Sequence, residues 1–146
     1  MRIIGVCFGH QIVGRAMGAR VDRSDAGWEV SVVPMSLTPL GQELFGQKDM
    51  SLHQMHHDIV YTYPEGVEEL AHSPRCAVQG MYVKNRIITV QGHPEFNNFV
   101  MEELLEVRHA SGVFDDAMYK DAWARMENRH DGATVAKAFI KFLVQE

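Results

Sequence analysis

Two short stretches of the chain combine residue types that support nucleophilic chemistry. In the first, Cys7 stands between Gly5 and Gly9, directly after a short β-branched run. In the second, His93 is followed two residues later by Glu95. A thiol nucleophile needs a base that takes its proton, and the base needs a group that orients it. These residue types predict Cys7 as a nucleophile, His93 as its base and Glu95 as the orienting carboxylate.

The position of Cys7 at a junction between two elements favours this interpretation. The residues before it are typical of a buried parallel strand over 2–6, and the apolar spacing after it predicts a helix over 9–18. A nucleophile at a sharp strand-to-helix turn has a strained backbone, and glycine two residues away on each side would relieve crowding. The helix N-terminus favours a thiolate, and the N–H of Phe8 is expected to donate to an oxyanion. The alternative is a small buried cysteine between incidental glycines.

His93 occupies a comparable place in the predicted fold. It follows the apolar stretch 86–91, which predicts a strand, so Cys7 and His93 both lie just beyond the carboxyl end of a strand. Sheets of α/β proteins assemble their sites at such ends. Pro94 restricts the backbone between His93 and Glu95. Alone, this stretch would also fit an ordinary surface turn, and it is the combination with Cys7 that favours a site.

Composition limits the class of protein. The chain has 146 residues, a net charge of −5 and 14 basic residues, which form no long run. We therefore expect one domain over 1–146 and neither a nucleic acid nor a membrane partner. No apolar stretch reaches the roughly 20 residues of a membrane span, and the N-terminus lacks a secretory signal pattern. Two cysteines are too few for a disulfide framework, which favours a reducing, cytoplasmic setting.

The remaining sequence predicts strands followed by helices. Strands are expected over 28–35 and 67–73, and a hairpin over 77–92 is expected to turn at Lys84 and Asn85. Strands followed by helices on a mixed sheet indicate an α/β fold.

Four helices are expected besides the one that follows Cys7. The first is a short helix that begins near Thr38 and ends at Gly46. Thr38 can cap it, and Pro39 fits its first turn. Three more helices are expected after position 97. In the first and last of these three, apolar spacing predicts two buried faces: Val100, Leu104 and Val107; and Ala136, Phe139, Ile140 and Leu143.

The stretches "GVCFGHQ" and "VQGHPE" resemble the two signature blocks of the class I glutamine amidotransferases. The resemblance implies that a Cys–His–Glu triad hydrolyses the γ-amide of glutamine through a thioester. It also implies a flavodoxin-like domain with a mixed sheet flanked by helices. The matching positions are Gly5, Cys7, Gly9, Gln11, Gln91, His93, Pro94 and Glu95.

The resemblance also implies substrate-binding residues. Gln11 is expected to contact substrate, and "MHHD" resembles the segment that touches bound glutamine in GMP-synthetase-type members. Met55 and His56 are therefore candidate substrate-binding residues, although those members have a serine where Met55 stands. The resemblance is closest to stand-alone GMP-synthase-like members, some of which act as γ-glutamyl peptidases. No cofactor is implied, and ammonia would pass to a separate synthase chain or be released by simple hydrolysis.

One departure from the family leads to an alternative function. Family domains carry several strands and a second oxyanion donor before the nucleophile strand, so this chain resembles an incomplete domain with its N-terminal strands missing. An apolar strand edge near residues 2–6 would then favour oligomerisation. The alternative is a catalytically inactive, truncated chain that binds a partner or forms a homo-oligomer. A cysteine-based redox protein, a third option, has no signal beyond Cys7.

A metal site is a further alternative for the central histidines. His53, His56 and His57 have a spacing that would place them on one face of a helix, with Asp58 next, where they could bind zinc. The resemblance accounts for most of this segment without a metal, and we therefore predict none. Cys76 is expected to be an apolar packing residue.

Overall fold

Six strands form one mixed β-sheet in the computed structural model, which describes residues 1–145. Five helices flank it, and a two-stranded sheet lies beside it. No helix in this range is long and apolar enough to cross a membrane. In chain order the elements are β1 (Ile3–Val6), α1 (Phe8–Ala16), β2 (Val21–Arg23), β3 (Glu29–Leu37), α2 (Pro39–Phe45), β4 (Asp49–His56), β5 (Asp58–Val60), β6 (Glu68–Ser73), β7 (Cys76–Val83), β8 (Ile87–Val90), α3 (Asn98–Ala110), α4 (Asp116–Arg125) and α5 (Gly132–Val144).

The sheet has the strand order β1-β8-β7-β6-β3-β4. β1 pairs in parallel with β8, and the other neighbouring strands of this sheet pair antiparallel. β2 and β5 form the small antiparallel sheet. β1 is therefore an edge strand among the described residues, and Ile3 in it is 37% exposed. The predicted α/β class with a mixed sheet flanked by helices is confirmed.

Local turn and cap signals are confirmed at two places. The Thr38 side chain accepts a hydrogen bond from the Gly41 N–H, Pro39 is the first residue of α2, and Gly46 ends the helix in the left-handed conformation. Asn85 has a φ of 58° between β7 and β8, as expected for the hairpin turn. These features depend on neighbouring residues alone, which explains why the sequence predicts them well.

The predicted buried faces of two helices are correct only in part: Leu104 and Phe139 are half-buried against the core, but the fully buried residues lie one position away. In α3 the buried residues are Met101 and Leu105, whereas Val107 is 63% exposed. In α5 they include Val135 and Phe142, whereas Ile140 is 62% exposed. One residue corresponds to a rotation of about 100° around the helix. Both helices have apolar residues on more than one face, so the sheet beneath them decides which face is buried.

A buried histidine fastens α1 to the sheet. His10 is fully buried; its Nε2 lies 3.0 Å from the Val78 carbonyl oxygen and its Nδ1 lies 2.7 Å from Thr89 Oγ1. The carbonyl only accepts, so Nε2 carries the proton and Nδ1 accepts from the hydroxyl of Thr89. Burial lowers the pKa of His10 to about 3, which keeps the ring neutral. These bonds hold the helix that follows Cys7 against β7 and β8.

Two glycines in α1 give a matched test of how closely this helix packs. A Cβ at Gly14 would lie 2.8 Å from Val60 Cγ2, whereas a Cβ at Gly9 would meet nothing within 4 Å. We expect Gly14→Ala to lower the free energy of unfolding by about 1–3 kcal/mol through overpacking. Gly9→Ala is expected to leave it unchanged or raise it by up to about 1 kcal/mol. Urea denaturation measures both, and equal effects would contradict close packing of α1 on β5.

Candidate active site

Cys7 forms a strained turn between β1 and α1. Its φ is 50° and its ψ is −102°, a conformation that non-glycine residues rarely adopt. Its N–H donates to the Val90 carbonyl at 3.0 Å, and its own carbonyl accepts from the Gln11 N–H at 3.1 Å. Such strain costs about 1–3 kcal/mol and persists only where the surroundings impose it. The geometry is that of the strand-to-helix turn predicted for a nucleophile.

The two glycines beside Cys7 have different roles. A Cβ at Gly5 would lie 2.9 Å from Thr89 Cγ2 and 3.0 Å from the carbonyl group of Gly9. Gly5 therefore allows the strand and the helix to approach each other. The expectation that Gly9 itself relieves crowding is wrong, because its Cβ position faces open space.

His93 lies beyond the end of β8 in a short hydrogen-bonded loop. Its N–H donates to the His53 carbonyl at 2.8 Å, and its ring stacks on Phe96 with the ring centres 4.0 Å apart. Nδ1 lies 2.5 Å from Glu95 Oε1. Burial lowers the pKa of His93, but its interactions with the nearby Cys7 and Glu95 outweigh burial and raise the pKa to about 9. The structure thus brings Cys7, His93 and Glu95 together.

Glu95 completes an ion pair with His93. Burial raises the pKa of this carboxyl, but the hydrogen bond from His93 lowers the pKa by more than burial raises it. The net effect is a pKa below the ordinary value. Both groups are therefore charged near neutral pH. Because the folded pKa of His93 is raised, its stabilising contribution is complete below pH 6.5 and is lost as the pH rises through about 9.

A cavity of about 200 Å³ opens beside the thiol. The Gln11 Nε2 donates to the Asp58 carbonyl at 2.9 Å and to Gln91 Oε1 at 3.3 Å, while Gln91 Nε2 lies 3.7 Å from Cys7 Sγ. Phe8 is the first residue of α1, so its N–H has no partner within the helix, and its side chain is exposed. The residues that line the cavity are Cys7, Gln11, Arg23, Trp28, Met55, His56, His57, Asp58 and Arg108.

His56 is anchored by a buried acidic network. Its Nε2 lies 2.9 Å from Glu29 Oε1 and its Nδ1 lies 3.0 Å from the Asp58 carbonyl oxygen. Glu29 also accepts from Gln79 Nε2 at 2.8 Å and from the Ser73 hydroxyl. The carbonyl can only accept, so Nδ1 of His56 carries a proton. Nε2 faces the Glu29 carboxyl group, which has three side-chain hydrogen-bond partners, and these bonds fix the orientation of the His56 ring. The sequence did not predict this network, because its members lie far apart in the chain.

The helical zinc alternative is wrong for the central histidines. His53 and His56 lie in β4, an extended strand, where positions three apart point to opposite faces. Three buried groups do approach one another, with ligand atoms of Glu29, His56 and Cys76 within 4.8 Å. Glu29 already has three side-chain hydrogen-bond partners, and burial, followed by the charge of Glu29, raises the pKa of Cys76 to about 12. We interpret this cluster as a hydrogen-bonded support for the cavity wall.

The Glu95 carboxylate can be tested directly as the cause of the raised pKa of His93. We expect Glu95→Gln to lower that pKa from about 9 by roughly 1 or more, because the charge that stabilises the imidazolium is lost. An NMR titration of the His93 ring protons measures it. Asp116→Asn is the control, since Asp116 pairs with the distant His109 at 2.6 Å. An unchanged His93 titration in Glu95→Gln would contradict the ion pair.

Comparison with known proteins places this geometry in a family. The model of the family described as glutamine amidotransferase class-I matches residues 1–106. A putative glutamine amidotransferase-like protein of Schizosaccharomyces pombe is 37% identical over 145 residues, which cover 99% of this chain and 58% of the relative. Gamma-glutamyl peptidase 5 of Arabidopsis thaliana is 30% identical over 152 residues, which cover 96% of this chain and 60% of the relative. The chain thus spans less than two thirds of the length of these relatives.

The fold has a counterpart among solved structures. The crystal structure of a glutamine amidotransferase from Methylobacillus flagellatus superposes with a TM-score of 0.77 at 23% identity, over 99% of this chain and 64% of that one. This structural likeness supports the fold alone. The family model and the sequence relatives also show which family the chain belongs to. The chain belongs to the class I glutamine amidotransferase family.

Proposed function

We propose that the chain hydrolyses γ-glutamyl amides, either glutamine or a γ-glutamyl peptide, with Cys7 as nucleophile, His93 as acid and base, and Glu95 as orienting carboxylate. The observation that supports the proposal is that β1 and β8 pair in parallel and end side by side, so that Cys7, which lines a cavity, follows one strand and the His93–Glu95 pair follows the other. Family membership and a relative named gamma-glutamyl peptidase support the same reaction class.

The first half of the reaction forms a thioester. The thiolate of Cys7 attacks the γ-carbonyl carbon, and the N–H of Phe8 donates to the oxygen that becomes negative. His93, protonated near neutral pH, gives its proton to the leaving nitrogen as the C–N bond breaks. Ammonia leaves from glutamine and an amine leaves from a γ-glutamyl peptide.

The second half releases glutamate. His93, now neutral, takes a proton from water, and the resulting hydroxide attacks the thioester carbonyl. The C–S bond breaks, the thiolate of Cys7 returns, and His93 again carries the proton. Glu95, bonded to Nδ1, holds the ring in the tautomer that leaves Nε2 free for this exchange.

The cavity walls supply substrate contacts in this scheme. Gln11, Met55 and His56 line the cavity with Cys7, and the Glu29 network fixes the His56 ring. From glutamine the reaction yields ammonia, which is either released or passed to an acceptor. A separate synthase chain is the partner that would use it, whereas cleavage of γ-glutamyl peptides needs no partner.

Replacement of the thiol tests the scheme. We expect Cys7→Ala to abolish glutamate release from glutamine and from a γ-glutamyl dipeptide, because no other group near the cavity can form the thioester. Cys76→Ala is the matched control for loss of a thiol, since this second cysteine is buried behind the cavity wall and does not line the cavity, so glutamate release should persist. A coupled glutamate assay measures the rates.

Intact mass spectrometry of rapidly quenched samples adds a second measurement. A covalent glutamyl adduct is expected on the unsubstituted protein and on Cys76→Ala, but not on Cys7→Ala. Glutamate release that persists in Cys7→Ala would contradict the proposal.

One observation favours a second candidate, an oligomerising module. β1 pairs on one side only within residues 1–145, and Ile3 in it is partly exposed, so its free edge can accept another strand. If this is the function, Ile3→Lys should convert a dimer to a monomer in sedimentation velocity. Phe99→Lys, at a residue that is 69% exposed on α3, should not. A monomeric, active chain would rule this candidate out.

A further inference from the structure

We propose that Arg108, stacked on Trp28, is a specificity-determining residue that binds the free α-carboxylate of the γ-glutamyl substrate. The inference rests on the proposed function and deepens it, because it names the chemical group that a substrate must carry. A γ-glutamyl compound whose α-carboxylate is blocked as an amide would be excluded.

The guanidinium group lies on the wall of the cavity that contains the thiol. Arg108 and Cys7 both line this space of about 200 Å³, so a ligand the size of one glutamyl group can span it. The guanidinium carbon lies 5.5 Å from the centre of the Trp28 ring. Stacking on an aromatic ring leaves the N–H groups at the guanidinium edge available for hydrogen bonds.

Arg108 lacks the anionic partner that a half-buried cation needs. Its guanidinium makes no salt bridge within residues 1–145, and its buried Nε has no hydrogen-bond partner. Nε itself is enclosed by protein, so a ligand would meet the part of the guanidinium that lines the cavity and would supply the counter-ion that this cation lacks. A planar guanidinium matches the two oxygens of a carboxylate better than any other common anion-binding side chain.

The other cations at the cavity already have partners. Arg23 Nε lies 3.3 Å from Asp58 Oδ1, and Arg23 Nη1 lies 3.1 Å from His57 Nδ1. The basic ring of His56 is bound to Glu29. Arg108 is therefore the cation of the cavity whose charge is uncompensated among the described residues.

Two contacts hold the Arg108–Trp28 pair in place. Phe114, which is buried, packs edge-on against Trp28 with ring centres 5.1 Å apart. The N–H of Phe114 donates to the Arg108 carbonyl at 3.2 Å. The same residue thus fixes the aromatic ring and the end of α3 that carries the guanidinium, which orders the group before substrate arrives.

Binding of two matched ligands tests the carboxylate subsite without turnover. L-Glutamate and L-isoglutamine share the γ-carboxylate and differ only in that the α-carboxylate of isoglutamine is an amide. We expect the unsubstituted protein to bind glutamate about 10- to 100-fold more tightly, the range for a charge-assisted hydrogen bond. Arg108→Gln should abolish this preference, Arg108→Lys should keep part of it, and Arg86→Gln, outside the cavity, should keep all of it. Isothermal calorimetry measures the four affinity ratios.

Kinetics separate failure of the subsite from failure of the proposed function. With L-γ-glutamyl-p-nitroanilide and its α-amide, Arg108→Gln should lower kcat/KM about 10- to 100-fold for the acid and little for the amide. A preference for the acid that survives Arg108→Gln overturns the subsite while the hydrolase stands. Preference for glutamate that depends on Arg108, without any turnover of either substrate, supports the subsite and overturns the hydrolase.

Discussion

The parallel pairing of β1 with β8 is the constraint on which the candidate site depends. The register places Val6 opposite Val90, and the Cys7 N–H continues the ladder by donating to the Val90 carbonyl. Both strands therefore end at the same level, one continuing into the strained turn and the other into the His93 loop. Cys7 and His93, 86 positions apart in sequence, come close because two four-residue strands run side by side in the same direction.

Buried polar groups then fix what the strand pair brings together. His10 binds α1 to Thr89 on β8, so the turn at Cys7 cannot relax by moving this helix away. Behind the cavity wall, Glu29 joins His56 to residues of β6 and β7. Each group is buried at a desolvation cost, and that cost is offset only in the arrangement in which every donor and acceptor is paired. Such networks favour one geometry over nearby alternatives, as a catalytic site requires.

The sequence predicted the features that depend on neighbouring residues. The strand before Cys7, the helix after it, the capped helix at Thr38 and the turn at Asn85 all follow from local backbone preferences. The sequence was less successful in predicting which face of a helix packs against the rest of the protein. α3 and α5 each have apolar residues on several faces, and the packed side chains beneath them centre the buried face on residues adjacent to the predicted ones.

For the candidate site, the sequence by itself determined the chemistry: a thiol at a strand-to-helix turn, and a histidine and a carboxylate after a second strand. These assignments need only residue type, spacing and family resemblance. The tertiary structure decided the charges and their partners: the neutral His10, the raised pKa of His93, the His56–Glu29 pair and the uncompensated Arg108. Charge states depend on burial and on groups distant in sequence, and only the folded chain brings those together.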